Sequence, residues 1–344
     1  MDNLYDLSLE DIQVYLTEVG EPSFRAAQIW QGMYQNGWSR IEDFTPLPGA
    51  MRDSMRLRFR LGNLTLEKEL SSQDRSTRKY LYRLPDGSAI ETVLMAYTDR
   101  QTVCISSQVG CAMGCSFCAT GNMGFSRNLT RGEIIQQVLL TDGILTGEKT
   151  SLTNVVLMGM GEPFHNYENV MGALRVLNDP RGFNMGMRRF TISTVGVVPG
   201  IKRFTAEKTQ INLALSLHAA DDQLRSELLP INKKYPLEVL MAACDEYLRI
   251  TKRRLTIEWA LIDGINDDEE QAEKLVRLLA GKLYHVNLIQ LNPVEHYSGQ
   301  PSQNTAAAKF QKILRDAGIS CTIRLRRGID IQAGCGQLAS QSTS

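Results

Sequence analysis

Three cysteines within eight residues, Cys111-Ala-Met-Gly-Cys115-Ser-Phe-Cys118, constrain this chain more than any other feature. The run directly follows an apolar stretch, 101–107, that reads as a β-strand, and loops at that end of α/β strands commonly carry catalytic groups. Three soft thiolates so close in sequence can converge on one metal centre, and their mixture with Gly and Met does not resemble core packing. Structural zinc takes four ligands, and no fourth Cys or His follows at finger spacing. A four-iron cluster normally takes four thiolates, so three leave one iron open to another ligand.

The rest of the cysteine inventory agrees with a metal or redox role. Seven cysteines is an odd number, and the clustering is unlike a secreted disulfide framework. The N-terminus, Met1-Asp2-Asn3-Leu4, lacks the basic-then-apolar pattern of a secretory signal. No apolar stretch approaches the roughly 20 residues that span a bilayer. These features predict a cytoplasmic protein without membrane association. Lys plus Arg (38) equals Asp plus Glu (38), so nucleic-acid binding is not implied by net charge and needs local patches. Arg52/Arg56/Arg58/Arg60, Lys252-Arg253-Arg254 and Arg324-x-Arg326-Arg327 are candidates, though any single run reads first as a solvated face.

The chain divides by texture. Residues 1–58 read as a small helical module, with helices from Leu9 through Leu16, from Pro22-Ser23 onward, and after Pro48. Residues 59–95 alternate around a Pro85-Asp86-Gly87 turn and predict a short antiparallel β extension. From 96 to 339 strands and helices alternate: strands at 101–107, 154–159, 189–194, 211–217, 255–262, 285–291 and 320–326, with helices at 130–145, 166–178, 199–206, 236–251, 267–281 and 303–317. Thr130-x-x-Glu133 has the form of a capping box. This rhythm predicts an α/β fold with a parallel sheet, open or closed into a partial (β/α)6 barrel. The polar tail 340–344 is expected to be disordered.

Polar groups gather at the predicted strand ends. Gly159-Met160-Gly161-Glu162-Pro163 follows the second strand, Ser193 closes the third, Ser216-Leu217-His218 the fourth, and Asn292-Pro293 the sixth. All would face one rim of a barrel. The C-x-x-x-C-x-φ-C pattern, with Phe117 as the aromatic, resembles the radical S-adenosylmethionine superfamily. That resemblance implies a [4Fe-4S] cluster on Cys111, Cys115 and Cys118, with S-adenosylmethionine on its open iron. It places Gly161 and Glu162 against the cofactor's amino group, and Ser193, Ser216, Leu217, His218 and Asn292 around the rest of it. The four histidines show no metal-binding pairing; His285, Cys244 and Cys321 read as structural.

Longer segments narrow the resemblance. Cys104-Ile-Ser-Ser-Gln-Val-Gly-Cys111, Gly124-Phe-Ser-Arg-Asn-Leu129, Met158-Gly-Met-Gly-Glu-Pro163, Gly328-Ile-Asp-Ile-Gln-Ala-Gly-Cys-Gly-Gln-Leu338 and Phe24-Arg-Ala-Ala-Gln-Ile-Trp30 resemble the RlmN/Cfr family of RNA adenine methyltransferases. The family mechanism uses two S-adenosylmethionine molecules per turnover. By resemblance, Cys335 accepts a methyl from the first. The radical from the second activates that methyl, which adds to the adenine ring and links protein to RNA. Cys104 then attacks Cys335, releasing methylated RNA and leaving a transient disulfide. Glu91 corresponds to the proton-transfer carboxylate, and the apolar Thr92-to-Met95 stretch beside it predicts partial burial. The implied partners are 23S rRNA, tRNA and an electron donor such as flavodoxin or ferredoxin, with the enzyme a monomer. Gly161-Glu162-Pro163 and the Phe24-to-Trp30 helix favour carbon 2 of adenosine; methylation of carbon 8, which confers antibiotic resistance, is the alternative within the family. A non-catalytic iron–sulfur RNA-binding or redox protein is the alternative of another class, and it would need neither Cys104 nor Cys335.

Overall fold

A computed structural model describes residues 1–324 and 326–339; the tail at 340–344 lies outside the described residues. Helices α1 (Leu9–Glu18), α2 (Arg25–Tyr34) and α3 (Gly49–Arg58) form the N-terminal module. Ser8 opens α1 with a capping box to Asp11, satisfying two backbone donors that a helix start leaves orphaned. Ile12, Leu16, Ile29, Met33, Met51 and Met55 form its buried stripe. The module docks on helix α4 (Arg131–Gly147), where Asp6 Oδ1 accepts the Gly132 N–H at 2.7 Å. A Cβ on Gly132 would stand 2.7 Å from Asn3 Nδ2, so this approach needs glycine.

Ten strands make one sheet whose spatial order follows the chain: β1 (Thr65–Ser71), β2 (Thr77–Arg83), β3 (Ala89–Ala96), β4 (Gln101–Cys104), β5 (Asn154–Leu157), β6 (Phe190–Thr194), β7 (Asn212–Ser216), β8 (Leu255–Leu261), β9 (Tyr284–Gln290) and β10 (Ser320–Ile323). Strands β1 to β4 pair antiparallel, and β4 to β10 pair parallel. The β extension is therefore continuous with the barrel sheet through the β3–β4 pairing. The barrel is partial, because β1 and β10 stand at opposite edges. Helices α5 (Tyr167–Asn178), α6 (Val198–Glu207), α7 (Asp222–Leu228), α8 (Leu237–Thr251), α9 (Glu269–Leu279) and α10 (Asn304–Asp316) fill the crossovers. Thr130 and Glu133 form the expected capping box at the start of α4.

Strand pleating sorts the side chains by period two. Ile192, Leu213, Leu215, Ile257, Trp259, Val286 and Leu288 are buried. Their neighbours Thr191, Ser193, Asn212, Ser216, Thr256, Glu258 and Asn287 line the barrel interior. Residues near strand starts face one mouth, and those near strand ends face the other. Three sequence expectations ran long: the strands predicted for 101–107, 154–159 and 320–326 stop at Cys104, Leu157 and Ile323. Past Cys104 the chain bends away, with Ser107 and Gln108 N–H groups donating to the Met160 carbonyl.

Candidate active site at the carboxyl ends of the strands

The cysteine loop is framed by a short hairpin, Gln108–Gly110 against Phe125–Asn128, that the sequence pattern did not reveal. Gly110 sits at φ 73°, and a Cβ there would strike the Gly124 carbonyl; the Cys111 N–H donates to that carbonyl at 2.9 Å. Cys111, Cys115 and Cys118 all line one cavity, together with Gly161, Glu162, Ser193, Ser216, His218 and Asn292. Burial pushes the Cys111 thiol up to about 12 and the Cys115 thiol well up, with neighbouring thiols adding to both. Burial also raises the Cys118 thiol, against N–H donors from Gly121 and Thr120. Metal binding at these thiols must therefore expel protons.

The donor set fits an iron–sulfur cluster. Among the described residues no three His, Cys, Asp or Glu side chains converge as a single-ion site. In a four-iron cluster each thiolate binds its own iron, so the ligands ring a volume rather than a point. Asn292 supplies a second sign of a missing ligand. It is 4% exposed, its Nδ2 donates to the Cys335 carbonyl at 3.1 Å, and its Oδ1 has no partner in a cavity otherwise lined by the three thiols.

Glu162 is fully enclosed. Its Oε1 accepts from the Phe164 N–H at 3.0 Å and its Oε2 from the Val195 N–H at 2.9 Å, while its own N–H donates to Gln108 Oε1. Burial raises its carboxyl to about 7, with the Val195 and Phe164 bonds opposing. Gly161 sits at φ 98°, and a Cβ there would lie 2.5 Å from the Gln108 Cβ. Ser193 and Ser216 hydroxyls stand 3.4 Å apart. His218 Nδ1 accepts the Ala260 N–H at 2.9 Å, and burial with the Arg225 charge lowers the ring to about 3. The ring is thus neutral with its proton on Nε2, and it packs edge-on against Phe117, 5.0 Å between centroids. Leu217 is the exception among the predicted group. Its side chain is in the core, and its carbonyl is taken by Arg225 Nε and the Ala219 N–H.

Arg225 escaped the sequence reading, since a cation on an unrecognised short helix gives no local signal. It is 0% exposed and donates to the carbonyls of Val195 and Leu217 and to Asn232 Oδ1, tying the β6 and β7 loops together. Burial lowers its guanidinium to about 10.

The C-terminal segment is stapled onto the cysteine loop. The Ala119 N–H donates to the Gly336 carbonyl at 2.7 Å, and Thr120 Oγ1 to the Leu338 carbonyl at 2.5 Å. Cys335 therefore stands beside the cluster cavity, and it also lines an adjoining cavity that contains Cys104, Met158 and Arg324. Cys335 is exposed as well as lining both cavities. The surrounding protein still raises its thiol, with Arg324 opposing. Cys104, at the end of β4, is pushed up to about 12, first by burial and then by Cys335. Cys244 and Cys321 are buried on α8 and β10, as expected of structural residues.

Glu91 shares a face of β3 with Val93 and Met95, but the C-terminal segment divides that face. Val93 and Met95 open on the Cys104–Cys335 cavity, whereas Glu91 lines a separate one. There Lys79 Nζ lies 2.9 Å from Oε1, and the Ala339 N–H donates to Oε2 at 2.9 Å. Burial of Glu91 is as expected, more complete than partial.

Comparison with known proteins places this architecture. Residues 105–276 match the radical SAM superfamily, so the chain is a radical SAM enzyme. Residues 2–60 match the N-terminal domain of ribosomal RNA large subunit methyltransferase N. Dual-specificity RNA methyltransferase RlmN 1 of Myxococcus xanthus is 48% identical over 98% of this chain and 94% of that relative. The crystal structure of a radical SAM methyltransferase from Sphaerobacter thermophilus superposes with a TM-score of 0.97 at 47% identity, covering 99% of this chain and 100% of that one. The chain belongs to the RlmN family. No helix among the described residues is long and apolar enough to cross a membrane.

Proposed function

We propose that the chain methylates carbon 2 of adenosine in 23S rRNA and in tRNA, acting as a cytoplasmic monomer fed by flavodoxin or ferredoxin. When bound, the [4Fe-4S] cluster and S-adenosylmethionine supply one-electron chemistry and the methyl group. Cys111, Cys115 and Cys118 would hold the cluster. Glu162, Ser193, Ser216, His218 and the free Asn292 Oδ1 would hold the cofactor, with Leu217 contributing only backbone and packing. Cys335 Sγ would carry the methyl, and Cys104 Sγ would attack Cys335 to release the product, forming a disulfide that an external reductant reopens. That bond requires a Cα separation of about 4.4–6.8 Å. Glu91 would move a proton once the C-terminal segment shifts and frees it from the Ala339 N–H.

The observation carrying this reading is the position of Cys335, between the cavity of the three thiols and the cavity of Cys104. A passive cluster-binding module has no use for that arrangement. The test is anaerobic reconstitution with RNA and methyl-labelled cofactor, with nucleosides resolved by mass spectrometry. The expected product is 2-methyladenosine. A product of 8-methyladenosine would move the chain to the carbon-8 chemistry, and no methylated adenosine would sink the RNA reading.

A further inference from the structure

Two cations are buried among the described residues, Lys79 and Arg225. Lys79 has its counter-charge in contact, Glu91 Oε1 at 2.9 Å. Arg225 does not. It is 0% exposed, and every atom it donates to is uncharged: the carbonyls of Val195 at 2.7 Å, Leu217 at 3.2 Å and Ser216 at 3.5 Å, and Asn232 Oδ1 at 2.8 Å. A carboxylate comes no nearer than one residue removed, where Asn232 Nδ2 donates to Oδ1 of the exposed Asp222. Carbonyl dipoles offset part of the lost hydration, but a charge so enclosed is costly without an opposite charge.

A group able to supply that charge lies behind a single wall. Val195 and Ser216, whose carbonyls take the guanidinium, line the cavity of the three thiols. So does Leu229, whose N–H donates to the Arg225 carbonyl at 2.7 Å. The cysteine loop is tied to the same helix: the N–H of Ser116, next to Cys115, donates at 3.0 Å to the carbonyl of Leu228, which ends α7. Burial lowers the Arg225 guanidinium, and of the groups whose negative charge opposes this Cys115 comes first, ahead of Cys244 and Asp222. Burial pushes the Cys244 thiol up to about 12, so it stays neutral. Cys115, in contrast, loses its proton when metal binds. Three thiolates on an iron–sulfur core leave the loaded site a net anion, and reduction makes it more negative.

We propose that Arg225 is the counter-cation of the iron–sulfur cluster, a positioning residue that acts through Cys115 without touching the cluster and makes the cluster easier to reduce. The inference rests on the assignment of the cluster to Cys111, Cys115 and Cys118 above. An enclosed cation favours the more negative, reduced state, and its field crosses protein rather than water, where screening is weak. Cluster potentials respond to charge, to hydrogen bonds on sulfur and to exposure, and here one side chain supplies the charge. One electron passes from the reductant to the cluster; Arg225 keeps its proton and forms no bond. An arginine that only tied the β6 and β7 loops together would leave the potential untouched.

The test is a mediated redox titration of the anaerobically reconstituted enzyme without S-adenosylmethionine or RNA, read by the electron paramagnetic resonance of the reduced cluster. Arg225→Gln removes the charge but keeps an amide donor for the carbonyls. It should make reduction roughly tenfold less favourable, a potential lower by about 59 mV for one electron. Arg225→Lys keeps the charge and should recover most of that loss. Should Arg225→Gln fail to fold, Asn232→Asp with Asp222→Asn places a carboxylate on the guanidinium at unchanged net charge, and should lower the potential likewise. An unchanged potential in Arg225→Gln, or in the exchanged pair where that is the variant that folds, would overturn the proposal. So would a fall as large in Arg225→Lys as in Arg225→Gln. If the unmodified enzyme takes up no four-iron cluster, the cluster assignment fails instead.

Discussion

Replacing Gly334 by alanine tests whether the C-terminal segment holds Cys335 in place. Gly334 has no positive φ, so the substitution carries no backbone penalty. Its penalty is steric: a Cβ would stand 2.6 Å from Asn292 Nδ2 and 2.8 Å from Gln337 Oε1, closer than the 3.0 Å that real Cβ contacts respect. Both partners are buried and both are engaged. Asn292 Nδ2 donates to the Cys335 carbonyl at 3.1 Å, and Gln337 Oε1 accepts the Gly334 N–H at 3.0 Å. Relieving the clash costs one or both bonds, each contributing about 0.5–1.5 kcal/mol. A loss of about 0.5–3 kcal/mol in docking raises the open population of the segment by about 2- to 150-fold, at 1.4 kcal/mol per factor of ten. Hydrogen exchange reads this directly. Peptides covering 328–339 should lose protection by that factor, peptides from α8 should not change, and methyl transfer to Cys335 should slow. Unchanged exchange across 328–339 would refute the reasoning.

Two further perturbations follow from the buried carboxylates. Burial holds the folded Glu162 carboxyl at about 7, above its unfolded value, so the folded state binds the extra proton and apo-protein stability falls as pH rises from about 4.5 to about 7, then levels. At 1.36 kcal/mol per unit the loss is at most about 3 kcal/mol, and Glu162→Gln should remove that slope in urea titrations at pH 5 and 7.5; an identical pH dependence would contradict the assignment. Lys79→Met strands Glu91, whose side chain is 3% exposed, with only the Ala339 N–H as partner. Breaking such a pair from one side costs about 3–5 kcal/mol, and adding Glu91→Met should recover most of it; equal stability of the single variant and the parent would refute the pairing.

The elements legible in the sequence were those with long, repeated patterns. The alternating strands and helices from Gln101 to Ile323 appear in the expected order, because parallel strands buried on one face and helices with one apolar stripe leave strong periodic signals. The thiol triad was legible for a different reason: three cysteines in eight residues need no tertiary information to lie near one another. Other features required the fold. The hairpin Gln108–Gly110/Phe125–Asn128 is too short for a period and depends on the close approach of Gly110 to the Gly124 carbonyl. Arg225 gains its meaning only from carbonyls that α7 brings within reach. The cleft at the amino ends of the strands assembles cations from the β3–β4 turn, the turn before β6, the α8–β8 turn and the C-terminal segment, so its charge is invisible in runs that each look like a solvated face. Leu217 reads as a cavity residue from its place in Ser216-Leu217-His218, but its side chain turns into the core, away from the cavity that its neighbours line.

In the proposed reaction Cys335 carries the methyl to RNA and Cys104 releases the product. Cys104→Ala in the reconstituted holoenzyme, incubated with RNA and S-adenosylmethionine and separated under denaturing conditions, tests it most directly. The expected result is a covalent protein–RNA species whose mass spectrum places the link at Cys335, absent when Cys335→Ala is added. Normal turnover by the Cys104 variant, with no such species, would contradict it.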